Sequence, residues 1–248
     1  MDKRIIYKPD ERDYRAEILD IIRSDKKEDE INLLLQDYHD NDIASVLKDL
    51  TPEERERLLH ILGNEGMSSV VTFLEDAGEY LSELDADEAA DLIEQMDADE
   101  ALEALDDLNE DVRQEVLELI EDDIKEDIEL LDSYDEDEFG SKMSTNYICV
   151  LRGTSVKATM KTLVSEAAQN DNIYTIFVAN EDGSFYGAID LKDLIVARSE
   201  TPLEELIYTN FPHVYDKDSI SENIEHLRGY SEELIPVLSS ENGGIVGV

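Results

Sequence analysis

Asp85-Ala86-Asp87-Glu88, Asp97-Ala98-Asp99-Glu100 and Asn109-Glu110-Asp111 open three successive segments, each 12 residues after the last. Each starts on a residue whose side chain can cap a helix. The first two place a Glu three residues later, where it can reach back to the cap's own N–H. Twelve residues suit one helix of ~8–10 residues plus a tight corner. An apolar stripe with helical spacing runs through the region: Leu81, Leu84, Leu92, Met96, Leu102, Leu105, Leu108, Val112, Val116 and Ile120. The spacing predicts a stack of short helices, a right-handed superhelix or solenoid-like array.

The same start signal stands upstream at Thr51-Pro52-Glu53-Glu54, with Pro52 at the first helical position. That helix should run through Leu58, Leu59 and Leu62 and stop at Gly63-Asn64. Three more helices are expected before it, over residues 13–22, 26–38 and 40–50, each with an apolar face. Residues 1–10, with Lys3, Arg4 and Lys8, show no period and read as a tail.

Between Glu75 and Glu138 the chain holds 30 Asp or Glu against Arg113 and Lys125, a net of −28 out of the whole chain's −43. The apolar stripe persists throughout, so the segment should fold, and fold under self-repulsion. A folded surface of that sign attracts cations. Part of the acidity has a local reason: early-turn carboxylates favour helix N-termini by ~0.3–1 kcal/mol each.

The balance excludes direct nucleic-acid binding and lipid docking through a basic patch, because phosphates are repelled. The 248 residues suffice for two or three domains. The single cysteine, Cys149, rules out an intramolecular disulfide and fits a reducing cytoplasm. The N-terminus lacks a signal-peptide apolar run. No stretch approaches the ~20 apolar residues of a membrane span.

At Ser133–Gly140 the text changes from acidic helix to β-rich. Tyr147–Leu151 reads as a strand, Val156–Glu166 as a helix and Ile173–Asn180 as an apolar strand. Glu181-Asp182-Gly183-Ser184 is a turn, Phe185–Ile189 the returning strand and Leu191–Arg198 a helix. A poorer copy follows: His213–Tyr215, a helix over Ile220–Tyr230, a strand over Leu234–Leu238, a turn at Glu241–Gly244, and a strand from Ile245.

This tandem β-α-β-β-α pattern resembles a pair of cystathionine-β-synthase (CBS) domains. The residues that carry the likeness are Ile173–Val178 with Asp182-Gly183, Gly187–Leu194, Ile235–Leu238 and Gly244–Val248. The acidic helices followed by Tyr134-Asp135-Glu136-Asp137-Glu138-Phe139-Gly140-Ser141-Lys142-Met143-Ser144-Thr145 resemble the cytosolic region of MgtE-type magnesium transporters over residues 40–248. The expected fold is therefore multidomain, α and α+β: an N-terminal superhelix of short α-helices, then a tandem CBS pair. The expected bounds are 1–132 for the acidic helical domain, 133–145 for a hinge, 146–200 for the first CBS domain and 201–248 for the second, truncated before its last helix. The resemblance implies a homodimer through the CBS domains and a transmembrane domain of the same polypeptide, absent here. It places the full-length protein at the cytoplasmic face of the cell membrane and makes this part soluble.

Mg²⁺ takes oxygen ligands, keeps waters and needs only one or two carboxylates per site, so it leaves no sharp spacing signature. Asp87 with Asp91, and Asp99 with Glu103, lie at i, i+4 on one helix face. Their mutual repulsion of a few tenths of a kcal/mol is what a shared divalent cation reverses. The resemblance implies ligands facing the CBS domains in the Asp99–Glu103 segment. It also implies ligands at Asp218 and Glu222, and a backbone carbonyl at Gly140-Ser141, written here as Ser141. A further acidic position of the family falls on Ser231. The alternative for these carboxylates is solvation or helix capping, by Asp218 or Ser219 in the last case. CBS pairs often hold adenine nucleotides through a Thr or Ser three residues before an Asp. Asp190 stands there, ahead of Asp193, and a carboxylate beside a phosphate chain disfavours nucleotide. Tyr174, Phe177 and Tyr186 read as core or dimer-interface residues.

No nucleophile–base set or zinc spacing appears, so neither an enzyme nor a zinc site is expected. The function this implies is a Mg²⁺-sensing regulatory module of a magnesium transporter or channel. In it Mg²⁺, or another divalent cation, bridges acidic surfaces of the helical and CBS domains and favours a closed, compact state. One alternative is an acidic helical-repeat scaffold for a basic partner, since the superhelix also resembles flagellar motor switch proteins. The other is a nucleotide-sensing CBS regulator.

Overall fold

Capping chemistry sets the helix starts of the N-terminal half. Thr51 Oγ1 accepts from Glu54 N at 3.3 Å and Glu54 Oε2 accepts from Thr51 N at 3.0 Å. Asp85 Oδ1 accepts from Glu88 N at 2.9 Å, with the return bond from Asp85 N to Glu88 Oε2 at 3.4 Å. Each such cap stabilises its helix by about 0.5–2 kcal/mol. In this computed structural model, which describes residues 13–167, 170 and 172–248, nine α-helices follow in order before residue 133. They are α1 (Tyr14–Ile22), α2 (Glu28–Leu35), α3 (Asp40–Ala44), α4 (Pro52–Val71), α5 (Ala77–Leu81), α6 (Ala86–Ile93), α7 (Ala98–Asp106), α8 (Glu110–Leu119) and α9 (Asp122–Asp132). The expected tail at residues 1–10 lies outside the described residues.

The 12-residue phase is present in α6, α7 and α8, and Glu121 carries it one step further as the N-cap of α9. Three features depart from expectation. The helix expected over 40–50 ends at Ala44 and gives way to a 3-10 turn over Leu47–Asp49. The helix thought to end at Gly63 breaks there, with φ of 71°, but helical turns resume and run to Val71. Glycine takes that left-handed conformation without a Cβ clash, so the chain kinks rather than stops. The short helix α5 was not foreseen; Asp76 Oδ1 caps it by accepting from Glu79 N at 3.0 Å.

The chain divides into two compact units. One comprises the residues through Met96 with Glu103–Ile120; the other comprises Asp97–Leu102 with Glu121–Val248. In the first, α6 packs on α4 and α8, and α1 packs on α2 and α3. Ile18, Ile22, Ile31, Leu35, Leu58, Met67, Leu81 and Leu92 are fully buried there. Each contributes about 1.5–3 kcal/mol relative to an exposed side chain.

The second unit holds two copies of one topology. The first copy runs β1 (Ile148–Leu151), α10 (Val156–Glu166), β2 (Thr175–Ala179), β3 (Phe185–Asp190) and α11 (Leu191–Val196). The second runs β4 (Val214–Tyr215), α12 (Ile220–Leu227), β5 (Val237–Leu238) and β6 (Ile245–Gly247). In each, the first strand pairs parallel with the second, and the second antiparallel with the third. The register sets Ile148 opposite Ile176 and Ile176 opposite Ile189, then Val214 opposite Val237 and Val237 opposite Gly247. Every residue of β2 is buried, as a central strand covered on both faces requires. The β2–β3 and β5–β6 turns match as well: Asp182 Oδ1 accepts from Ser184 N at 3.1 Å, and Asn242 Oδ1 from Gly244 N at 2.8 Å. The strand expected over Leu234–Leu238 shrinks to Val237–Leu238. Pro236 has no N–H for the ladder and offers only its carbonyl, which accepts from Val214 N at 3.2 Å. Among the described residues no helix is long and apolar enough to cross a membrane.

Candidate functional site

The acidic joint after α9 is held against the start of α12. Asp137 Oδ2 accepts from Ser219 Oγ at 2.5 Å and from Ser221 Oγ at 3.0 Å, while Oδ1 accepts from Ser221 N at 2.9 Å. The Asp137 carbonyl accepts from Ile220 N at 2.6 Å. These bonds favour the ionised form and hold the Asp137 carboxyl below the usual aspartate range, with the Ser219 bond the largest cause. Two residues on, Phe139 N donates to Asp218 O at 3.1 Å and Gly140 N to Asp216 O at 2.8 Å.

Asp216 lies beneath this clasp, 4% exposed. Burial pushes its carboxyl upward, but donors outweigh it and the net shift is downward. Those donors are Ser240 N at 2.9 Å, the Ser240 hydroxyl, the Tyr134 hydroxyl at 3.1 Å and Lys217 N at 2.9 Å. Burial, with the Asp216 charge next, pushes the Tyr134 phenol up to about 12. Further along, Ser144 and Val248 exchange a pair of backbone bonds, each 2.9 Å. Asn146 Nδ2 donates to Asp97 Oδ1 at 3.0 Å and Thr145 Oγ1 to Asp127 Oδ2 at 3.2 Å.

Three of the candidate ligands lie on the two segments that this clasp joins, without a bond between them. Asp218 is half-buried, and its Oδ2 accepts from Tyr215 N at 3.3 Å. Glu222 is exposed, and its N–H donates to Ser219 Oγ at 3.3 Å, so Ser219 caps α12. Ser141 is half-buried and bonds back to Glu138 O through both N (3.1 Å) and Oγ (2.9 Å). Glu138 in turn bridges Ser219. The other candidates lie elsewhere. Asp87 and Asp91 sit one turn apart, both exposed, on α6, and Asp91 Oδ2 accepts from Asn64 Nδ2 at 3.2 Å. Asp99, half-buried, and Glu103, exposed, sit one turn apart on α7.

Among the described residues no three His, Cys, Asp or Glu side chains converge as a closed metal cage. The donors present are hard oxygens in pairs. That fits Mg²⁺, which keeps several waters and needs one or two carboxylates, better than a soft metal that needs a full protein cage.

A second feature is a cavity of about 610 Å³ in the same unit, lined by Tyr174, Thr175, Asp190, Leu191, Lys192, Ile195, Tyr208, Asn210, Phe211, Ser231, Glu232 and Glu233. Its lining includes three carboxylates and one lysine. Tyr208 of the lining donates through Oη to Asp193 Oδ2 at 2.8 Å. Of the aromatics read as core or interface, Phe177 is fully buried, Tyr186 lies beneath the Arg152 guanidinium at 3.9 Å, and Tyr174 is 59% exposed on the cavity wall.

Residues 38–137 match the family of MgtE intracellular N domains, and residues 137–200 match the CBS domain family. The chain carries an MgtE N domain joined to a CBS domain. The junction of the two matches falls on Asp137, the clasp residue. Over 122 residues, 49% of this chain, the sequence is 31% identical to the magnesium transporter MgtE of Thermus thermophilus, and over 124 residues it is 25% identical to that of Enterococcus faecalis. Each match covers 27% of the relative, so the chain spans about a quarter of the curated relatives it matches. A crystal structure of the soluble part of a magnesium transporter superposes with a TM-score of 0.86 at 22% identity, over 95% of this chain and 94% of that one, a likeness of fold. A crystal structure of the cytosolic domain of the Mg²⁺ channel MgtE in complex with ATP superposes with a TM-score of 0.79 at 26% identity, over 88% and 89%.

Asp137, Tyr134 and Asp216 were not singled out by the sequence as site residues. The N domain–CBS joint was legible as a motif, but its bonds to Asp216 and Ser219 span 82 residues and leave no local period.

Proposed function

We propose that this chain is the Mg²⁺-sensing regulatory part of a magnesium transporter or channel. The observation that carries the reading is the joint itself: an acidic helical segment runs into the CBS-like repeats through a clasp in which Asp137 bonds Ser219, Ile220 and Ser221, the stretch that lies between Asp218 and Glu222. The domain division proposed is 1–132, 133–145, 146–200 and 201–248, with 133–145 as the joint. Asp87 with Asp91, and Asp99 with Glu103, are the N-domain ligand pairs. Partners are a second copy of the chain through the CBS repeats, and a transmembrane part. No catalytic role is proposed.

The mechanism is a population shift. Cations bound at the acidic faces of the N domain and the CBS pair relieve carboxylate repulsion and favour a compact, closed state; cation loss releases it. Moving a two-state balance from 1:99 to 99:1 takes about 5.5 kcal/mol of differential binding. Spread over about four ions, that is roughly 1.4 kcal/mol each, a tenfold preference per ion. Weak, water-rich sites suffice.

Calorimetric titration of the chain with MgCl₂ tests this. Saturable binding that falls when Asp218→Ala is combined with Glu222→Ala, and again with Asp99→Ala and Glu103→Ala, supports it. Heats no different from those of matched KCl would remove it.

A second reading has its own observation. The cavity beside Asp190 and the ATP held by the 26%-identical structure favour an adenine nucleotide as a further ligand. Asp190, Glu232 and Glu233 oppose a polyphosphate chain, which a bound divalent cation would offset.

A further inference from the structure

We infer that a cavity between α4, α5 and α6 is a binding site for an organic cation, an ammonium carried on an alkyl stem, with the Tyr80 hydroxyl as its buried polar contact. The cavity lies within the first compact unit, and the inference does not depend on the Mg²⁺ reading.

The observation that points to a ligand is Tyr80. It is 5% exposed, and its hydroxyl has no hydrogen-bond partner among the described residues. A buried hydroxyl left unpaired destabilises a fold, and such groups are rare. The backbone beneath it is fixed. Ala77 N donates to Asp107 Oδ2 at 3.0 Å, and a Cβ on Gly78 would stand 2.2 Å from Asp107 O, so α5 rests directly on that backbone. Tyr80 lines a cavity of about 370 Å³, within the range of small-molecule sites, about 300–1,000 Å³. The charges that act on its phenol oxygen are those of Glu83, Glu88 and Arg55, all in the lining of that cavity, so the hydroxyl is directed into it. Burial first, then the two carboxylates, push the phenol upward, and it stays a neutral donor and acceptor.

The lining selects the ligand. Among its described residues the one cation is Arg55, and it is already engaged. Its Nε and Nη2 donate to Glu83 at 2.8 and 2.5 Å, and its Nη1 donates to Leu50 O at 2.6 Å and Leu47 O at 3.3 Å. With Glu83 neutralised, Glu53, Glu56 and Glu88 remain, all exposed, and give the mouth a negative field that repels an anion. The deeper wall is apolar: Leu59 is buried and Leu84 half-buried. Glu53, Glu56 and Leu59 follow at three-residue steps along α4, so one helix face passes from acid to apolar. A hydrated metal ion gains nothing from leucine walls. An alkyl stem lies on them, as lysine stems lie on apolar surface. Its ammonium has three donors and no acceptor, which suits the unused Tyr80 oxygen and a carboxylate beside it.

The test is calorimetric titration of the full 248-residue chain with putrescine at fixed ionic strength. One saturable site is expected. Tyr80→Phe removes the hydroxyl and keeps the ring; it should weaken putrescine about tenfold. The same variant should melt no lower than the parent, because the lost hydroxyl holds nothing in the fold. Glu56→Gln takes one charge from the mouth and should also weaken putrescine; lying on the surface, it keeps the test open should Tyr80→Phe fold poorly. Nα-acetyl-lysine methylamide, titrated in parallel, separates the sources of the ligand. Tighter putrescine binding assigns the cavity to a free amine, tighter binding of the lysine derivative to a lysine side chain of a partner, and either result supports the inference. Putrescine heats unchanged by both substitutions would mean diffuse attraction to an acidic chain and overturn it. Loss of Mg²⁺ binding in Tyr80→Phe with putrescine binding unchanged would make the cavity a metal site and overturn it as well, leaving the Mg²⁺ reading intact.

Discussion

The Tyr134 hydroxyl donates to Asp216 Oδ2 at 3.1 Å across 82 residues of chain. It ties the end of the acidic helical region to the floor of the second CBS-like repeat. Tyr134→Phe leaves a buried carboxylate one donor short. A bond to a charged group contributes about 1.5–3 kcal/mol, so a loss near the lower end is expected, read as a lower melting temperature. The Asp216 carboxyl should titrate higher in the variant.

Gly140 packs against the same ring. A Cβ there would come within 2.5 Å of the Tyr134 ring atoms, and the Gly140 N–H is bound to Asp216 O. Gly140→Ala should therefore destabilise by about 1–3 kcal/mol, the usual range for overpacking. Combined with Tyr134→Ala, which vacates the space, the glycine change should cost much less. Denaturant midpoints of the two single variants and the double variant check this.

The pH dependence has two arms. The Arg23 bonds, at 2.8 and 3.1 Å, hold Glu54 down to about 2, and Asp137 and Asp216 are also lowered. Groups lowered in the fold contribute stability that is present above their unfolded values, ~3.9–4.3, and lost as pH falls through the folded ones. Acid unfolding should thus set in below about pH 4, and Arg23→Ala should begin it at higher pH. Tyr134 is raised to about 12, so its contribution is full below its unfolded value of ~10 and is lost as pH rises towards 12. Tyr134→Phe should reduce the alkaline arm, to which Tyr80 and Tyr147, both raised by burial, also contribute. Circular dichroism from pH 2 to 12 reads both arms.

Asp190 lines the 610 Å³ cavity, and the resemblance to CBS repeats implies a Thr or Ser at its position in a nucleotide-binding repeat. Asp190→Thr removes a charge and supplies a hydroxyl. Adenine-nucleotide binding, followed with a fluorescent ATP analogue, should tighten in the variant and gain less from added Mg²⁺ than in the parent. Equal, negligible binding by both proteins would leave this cavity without a nucleotide role.

The parts of the fold that were legible have local causes. Thr51-Pro52-Glu53-Glu54 and Asp85-Ala86-Asp87-Glu88 announce helix starts because cap and carboxylate lie three residues apart. Helix α10 has the expected bounds because Ser155 caps it, accepting from Ala158 N at 3.2 Å. Helix α5 escaped notice because its five residues make little more than one turn, too few for a period to repeat. The run beyond Gly63 escaped because a glycine that kinks a helix looks in sequence like one that ends it. At the site, Asp218 and Glu222 could be chosen only through the resemblance. Asp137 could not be chosen at all, since its role depends on Ser219 and Ser221, whose positions beside it are a product of tertiary folding.

The central claim is tested most directly by small-angle scattering of the chain titrated with MgCl₂ against KCl of equal ionic strength. A Mg²⁺ sensor predicts a fall in radius of gyration with MgCl₂ that KCl does not reproduce, and that disappears in Asp99→Ala with Glu103→Ala. An equal response to both salts would mean charge screening of an acidic surface and would contradict the account.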